Sequence, residues 1–293
     1  MTDDWVWIPA QTALLGSDAH YPEEAPTREV TVDGFWIQRH QVTNAQFATF
    51  VDATKYVTVA ERPLNPADYP GAPPENLQPG SMVFHRTAGP VDLRHLNQWW
   101  TWTPGACWNH PRGPKSSLRN REQHPVVHVA FDDAQAYADW AGLALPTEAQ
   151  WEIAARGGLP GATYTWGDEP EPAGQRLANY WHGEFPYLPD TGYGSTQPVG
   201  SFPANGYGLH DMAGNAWEWT TDWWADDRSV ESCCAADSYD PNQPQFQIGR
   251  RVVKGGSFLC ADSYCLRYRP AARRPQMVDT GMSHIGFRCV RLG

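Results

Sequence analysis

The sequence predicts an α/β fold of low regular secondary structure, in one domain over residues 1–293. Three observations predict it. The chain combines 26 Gly, 26 Pro and 15 Trp, a composition of turns and loops whose core rests on large rings. Helix signals are confined to a few short segments. Residues 62–124 form a long Pro- and Gly-rich stretch, and its Trp99, Trp100, Trp102 and Trp108 argue for packed loops rather than disorder. With 41% hydrophobic residues, a sizeable core is expected.

Residues 5–9 read as a short strand. Arg28–Val32 and Phe35–Gln38 read as strands joined through Asp33-Gly34, a hairpin signal. Thr43-Asn-Ala-Gln46 is a capping box, and Phe47, Phe50 and Val51 follow at helical spacing, so a helix is expected over 44–53. Val126–Phe131 reads as a strand. Asp132 then caps a helix to about Ala141, with Gly142 as its stop. Thr147-Glu-Ala-Gln150 is a second capping box, and its helix ends at Gly157-Gly158. Beyond that point only short strands and loops are expected. There is no repeat, low-complexity tract or linker.

The net charge of −11 argues against nucleic acid, which calls for clustered Lys and Arg, and against anionic lipid. Acidic groups in loops leave room for hard cations such as calcium. The N-terminal Met-Thr-Asp-Asp-Trp-Val-Trp has no basic segment and no apolar h-region, so no signal peptide is read. No run approaches the roughly 18 apolar residues of a membrane span. A cytoplasmic monomer with no membrane partner is the expectation.

His124 and His128 have the spacing of a helical metal pair, but the strand reading of this segment spoils that geometry. No Ser-His-Asp order or Gly-x-Ser-x-Gly elbow occurs. Gly255-Gly-Ser lacks the Lys of a phosphate loop. Asp211-Met-Ala-Gly-Asn-Ala-Trp-Glu218 sets two carboxylates and an amide around a glycine turn, which suits an oxygen cage for calcium. Asn179 and Asp190, near Gly192 and Gly194, offer the same chemistry; ordinary Asx turns are the alternative at both places.

Six cysteines in a chain of this size do not make a disulfide scaffold. Cys233-Cys234 read as incidental loop thiols. Cys260 and Cys265 are different. They stand in Gly-Gly-Ser-Phe-Leu-Cys-Ala-Asp-Ser-Tyr-Cys, residues 255–265. On a helix their side chains would point about 140° apart. On a strand they would lie on opposite faces, with about 16 Å of chain between them. Only a turned backbone brings the sulfurs together, and Gly255-Gly256 makes such a turn cheap. A structural disulfide, a redox pair and a soft-metal site remain open. The redox reading lacks a Cys-x-x-Cys at a helix N-terminus. Two thiolates without histidine partners favour Cu(I) over zinc, which wants four ligands.

Read together, these segments resemble the formylglycine-generating enzyme family, also called the sulfatase-modifying factor family. The resemblance runs from Trp36-Ile-Gln-Arg-His-Gln-Val-Thr-Asn-Ala-Gln-Phe through Trp140-Ala-Gly, Leu145-Pro-Thr-Glu-Ala-Gln-Trp-Glu and Arg156-Gly-Gly. It continues through Asn205-Gly-Tyr-Gly-Leu and Gly214-Asn-Ala-Trp-Glu-Trp-Thr, and closes on Gly255-Gly-Ser-Phe, Arg267-Tyr-Arg-Pro-Ala-Ala-Arg and Gly286-Phe-Arg-Cys. The Cys-x4-Cys with Ser-Tyr before the second cysteine separates catalytic members from silent relatives.

The resemblance implies an irregular fold distantly related to C-type lectins. It also implies oxidation of a cysteine in a sulfatase to Cα-formylglycine, with O2 and a thiol reductant, at Cys-x-Pro-x-Arg in an unfolded or nascent chain. It assigns Cu(I) to Cys260 and Cys265, with the substrate cysteine as a third thiolate. Ser257 and Tyr264 would hydrogen-bond a reduced oxygen species, and Trp219 would shape a dry O2 site. Two structural calcium sites are implied: Asn179, Tyr180, Asp190 and Tyr193 for the first, and Asp211, Gly214, Ala216 and Glu218 for the second.

Departures from the family pattern bear on this reading. Secreted animal members carry cysteines where Ala138, Ala155 and Pro270 stand here, so Cys289 lacks its expected partner, as suits a reducing cytoplasm and a bacterial-type enzyme. Ala261 replaces a common His, and His284 stands at a family Asn. A lectin-like binding module of the same fold is the alternative, but such relatives generally lack the cysteine pair. An ergothioneine-type sulfoxide synthase would call for a His-x3-His-x-Glu pattern, which is absent.

Overall fold

In the computed structural model, residues 4–226 and 234–292 are described. Cys233 lies outside them. In chain order the strands are β1 (Trp5–Ile8), β2 (Gln11–Leu15), β3 (Arg28–Val32), β4 (Phe35–Gln38), β5 (Gly80–Phe84) and β6 (Trp100–Pro104). They are followed by β7 (Gly183–Glu184), β8 (Leu188–Pro189), β9 (Trp217–Trp223), β10 (Arg250–Lys254), β11 (Arg273–Met277), β12 (Ile285–Gly286) and β13 (Val290–Leu292). The helices are α1 (Asn44–Thr54), α2 (Phe131–Ala141) and α3 (Glu148–Arg156).

Capping chemistry fixes the helices. In α1 the Thr43 hydroxyl accepts the Gln46 N–H at 3.2 Å and Gln46 Oε1 accepts the Thr43 N–H at 2.8 Å. Thr147 and Gln150 repeat this at α3, which ends on left-handed Gly157. At α2 the cap is a correction. Asp132 is exposed; the buried Asp133 accepts the Ala130 N–H at 2.9 Å, and the N-cap is Ala130, two residues earlier than expected.

Strand pairing departs further from expectation. β3 and β4 do not form a hairpin: β3 pairs with β2, and β4 lies between β1 and β13. Gly34 is there because a Cβ would come within 2.5 Å of the Trp7 ring, not because a tight turn is needed. Val126–Phe131 is not a strand either. His128 takes φ +62°, and the segment instead bridges Val42 and Met282 through single backbone hydrogen bonds. The long loop region holds a real hairpin, β5–β6; Trp99 and Trp108 within that region are buried, as its aromatic content suggested.

The main sheet has the order β11-β10-β9-β12, with β9 and β12 parallel. α3 packs against β9 and β10. Trp151 is fully buried on the α3 side of the sheet, and Trp217 and Trp219 are fully buried on its other face. Beneath them lies a buried ion pair: Arg288 meets both Glu218 oxygens, at 2.7 and 2.8 Å, and Trp151 Nε1–H donates to Glu218 at 2.7 Å. This frame holds the start of β9 and the segment after β10, where the cysteine pair sits.

Candidate active site

The chain leaves β10 through Gly255 and Gly256, at φ +91° and +72°. A Cβ on Gly256 would lie 2.8 Å from the Arg267 carbonyl oxygen, so the glycine permits the chain to fold back on itself. The Cys260 N–H then bonds the Ser257 carbonyl at 2.9 Å, and the Cys265 N–H bonds the Ala261 carbonyl at 2.6 Å. These consecutive turns bring Cys260 Sγ to 3.5 Å from Cys265 Sγ, as two buried thiols without a disulfide bond.

The two sulfurs are unequal. Burial pushes the Cys260 thiol well up, which makes Cys260 rather than Cys265 the one that keeps its proton and donates it between the sulfurs. That hydrogen bond, with the Arg267 guanidinium 3.8 Å away, pulls Cys265 down to about 6. Arg267 is itself held by Glu23 at 2.6 Å and lies over the Tyr21 ring.

Above the pair is a narrow cleft whose walls include Trp99, Trp100, Phe185, Trp217 and His284, with only about 20 Å3 open to a water-sized molecule. That is room for one or two small molecules. Ser257 and Tyr264 line it. The Tyr264 ring stacks on Phe185 at 4.7 Å and meets Trp99 edge-on at 5.8 Å; burial raises its phenol. Ser257 Oγ accepts the Leu259 N–H at 3.2 Å and lies 3.1 Å from His284 Nδ1. Burial, reinforced by Arg274 and His128, drives His284 far below the usual histidine range, so it is neutral. The cleft shares Tyr264, Cys265 and Arg274 with a wider groove of about 490 Å3 that also holds Glu23, Trp224 and Asp226.

Trp219 is corrected. Residues 217 and 219 share one face of β9, but Trp217 lines the cleft. Trp219 sits deeper, with its N–H donated to the Val129 carbonyl at 3.0 Å and its ring edge-on to Phe131. Sequence reading missed Arg274 and Phe185, and read Trp99 and Trp100 only as loop packing, not as walls of the cleft.

The oxygen-rich sets divide. Asn179 donates to the Ser195 carbonyl and to Asn215 Oδ1, each at 3.0 Å, while its side-chain amide oxygen Oδ1 is buried without a partner. That orphan acceptor fits a hard cation. Asp190, expected beside it, instead carries Arg176 at 2.7 Å. The Tyr193 ring lies under the same guanidinium, and the Tyr180 ring stacks on Tyr268. In the second set Asp211 accepts the Gly200 N–H at 2.7 Å, burial raises its carboxyl, and the Gly214 N–H is donated to the Gly255 carbonyl at 2.8 Å. The Ala216 carbonyl accepts Gln41 Nε2 at 2.8 Å. Glu218 is already balanced by Arg288, so this set does not fit a further cation as it stands.

His128 is buried between Ser81 and the Pro111 carbonyl, and His124 pairs with Thr196 at 3.0 Å; neither serves a metal pair. Among the described residues no group of three His, Cys, Asp or Glu side chains is placed to hold a metal. The thiol pair therefore offers two soft donors, which fits a soft ion of low coordination number.

Comparison with known proteins agrees with this geometry. The pattern of the sulfatase-modifying factor enzyme 1-like domain matches residues 1–292. The chain is 55% identical to a formylglycine-generating enzyme of Mycobacterium tuberculosis, over 99% of this chain and 98% of that one. It is 47% identical to one of Thermomonospora curvata, over 97% and 92%. Among solved structures it resembles PvdO from Pseudomonas aeruginosa, with a TM-score of 0.63 at 23% identity, over 98% and 93% of the chains, a likeness of fold alone. Fold and site thus define an oxidative enzyme that acts on cysteine. The chain belongs to the formylglycine-generating enzyme, or sulfatase-modifying factor, family.

Proposed function

We propose that this chain converts the cysteine of a Cys-x-Pro-x-Arg segment in an unfolded or nascent sulfatase to Cα-formylglycine, with O2 as oxidant and Cu(I) held by Cys260 and Cys265. The observation that carries this reading is the pair of buried thiols 3.5 Å apart, opening on a narrow aromatic-walled cleft.

The overall change balances with a thiol reductant. The substrate CH2–SH loses two electrons and its sulfur leaves as hydrogen sulfide. Two reductant thiols supply two more electrons and become a disulfide. O2 ends as the aldehyde oxygen and one water. Copper, when bound, supplies the one-electron chemistry that lets O2 react.

The protein's part is electrostatic and steric. Arg267 offsets negative charge on the sulfurs. Ser257 and Tyr264 present hydroxyls to the cleft, where reduced oxygen needs hydrogen-bond donors. Trp99, Trp217 and Phe185 keep bulk water out. The adjoining groove suits an extended peptide, and Asp226 supplies a carboxylate there for the arginine of the motif, Glu23 being taken by Arg267. Calcium is proposed as a structural ion at Asn179, on the strength of its unsatisfied side-chain amide oxygen.

The test is a Cys-x-Pro-x-Arg peptide with Cu(I), O2 and a thiol reductant, read by mass spectrometry. An aldehyde product is expected. Its absence from fully metallated enzyme overturns the proposal. Copper titration separates the parts: Cys260→Ser and Cys265→Ser should each lose tight Cu(I) binding, and unchanged affinity in both would remove copper from the pair.

A further inference from the structure

A second cavity of about 270 Å3 lies beside the reaction cleft. Phe258 and Ser283 line it, and their chain neighbours Ser257 and His284 line the cleft. Nothing in the proposed reaction uses it.

Two arginines face into this cavity, Arg112 and Arg121. Elsewhere in this acidic chain buried arginines meet carboxylates, as Arg156, Arg269, Arg273 and Arg288 do. Among the described residues neither Arg112 nor Arg121 has a carboxylate partner. Arg121 is half-buried, and burial together with the Arg112 charge works against its protonated form. Two cations held close without a counter-anion repel each other; an anion between them reverses the sign.

Two of the lining hydroxyls suit the same ligand; Ser116 and Ser195 donate instead to the Gly113 and Thr196 carbonyls. Ser283 Oγ accepts the Phe84 N–H at 3.1 Å, and Ser117 Oγ accepts the Arg119 N–H at 3.5 Å. Each hydroxyl keeps its own proton to donate. No carboxylate lines the cavity, while Phe84 and Phe258 give it an apolar side. The volume exceeds what one inorganic ion needs.

We propose that this cavity binds a small organic phosphate or sulfate ester, with its tetrahedral oxyanion between Arg112 and Arg121 and its apolar body against Phe84 and Phe258. A wall with two guanidiniums, free hydroxyl donors and no carboxylate suits an oxyanion, and paired guanidiniums recognise it bidentately. The site is independent of the copper reading.

Calorimetric titration of the whole chain at constant ionic strength tests it, with phenyl phosphate, phenyl sulfate, inorganic phosphate and chloride as probes. Saturable binding of a phenyl ester is expected, tighter than inorganic phosphate by about tenfold or more. Arg121→Met and Arg112→Glu should each weaken it at least about tenfold. Arg112 is exposed, so its variant is expected to fold even where Arg121→Met does not. Heat from chloride equal to that from the esters, or wild-type affinity in Arg112→Glu, overturns the proposal. The stronger of the two esters identifies the oxyanion.

Discussion

His284 is expected to act through Ser257, and the cost of losing it follows from the contacts between them. Ser257 Oγ already accepts the Leu259 N–H. If His284 donates from Nδ1, both serine lone pairs are filled and the hydroxyl proton is left to point into the cleft. A serine that serves as a donor there requires this tautomer. Replacing His284 with Leu removes one hydrogen bond in a buried site, worth roughly 1–3 kcal/mol. At about 1.4 kcal/mol per tenfold, kcat/KM should fall about 5- to 150-fold. His284→Asn places an amide where the imidazole Nδ1 stood and should recover most of that loss. The assay is peptide oxidation by copper-loaded enzyme, with copper affinity measured alongside and expected to be unchanged. In a Ser257→Ala background His284→Leu should add almost nothing, because the two act as a unit. A full, additive loss in that background, or no recovery with Asn, would refute the reasoning.

Other outcomes follow from the same contacts. Arg288→Met strands the buried Glu218 carboxylate and should cost about 3–5 kcal/mol, read from the urea midpoint. Calcium should raise the melting temperature of the wild type but not of Asn179→Ala, which lacks the orphan side-chain amide oxygen. In metal-free protein the thiolate absorbance of Cys265 should persist down to about pH 6 and move up in Cys260→Ala, since the Cys260 S–H is its largest cause. The sign for stability follows: a depressed thiol contributes above the ordinary thiol range and loses that contribution as pH falls through about 6.

The helices were legible because capping is local: Thr43 and Gln46, or Thr147 and Gln150, settle a terminus within four residues. Strand partners were not. β4 takes its neighbour from β13, some 250 residues on, and no pattern near Asp33-Gly34 announces that the chain there passes between sheets. The site divides in the same way. The cysteines, Ser257 and Tyr264 lie in one short segment and could be read together. Glu23 reaches Arg267 across 244 residues, and Arg274 enters the cleft from β11; only folding brings these together. The Trp-Glu-Trp of β9 gives two rings on one face, so parity could not choose between Trp217 and Trp219; depth chose.

What sets Cys265 apart from the other buried cysteines is charge, not burial. Cys107, Cys289 and Cys265 are all buried. Cys289 has only desolvation acting on it, which pushes its thiol far up. Cys107 is likewise raised, by burial and then by Glu61. Cys265 alone among these has a thiol donor and a guanidinium, and it alone is lowered. The thiolate is the form that reacts and binds metal. Limiting iodoacetamide on metal-free protein near neutral pH should therefore modify Cys265 well before Cys107 or Cys289, with exposed Cys234 as the ordinary reference. Peptide mass spectrometry reads the order. Faster loss of Cys289 or Cys107 would mean that access, rather than the Cys260 and Arg267 contacts, decides reactivity. The electrostatic account of the site would then fail while its geometry stood.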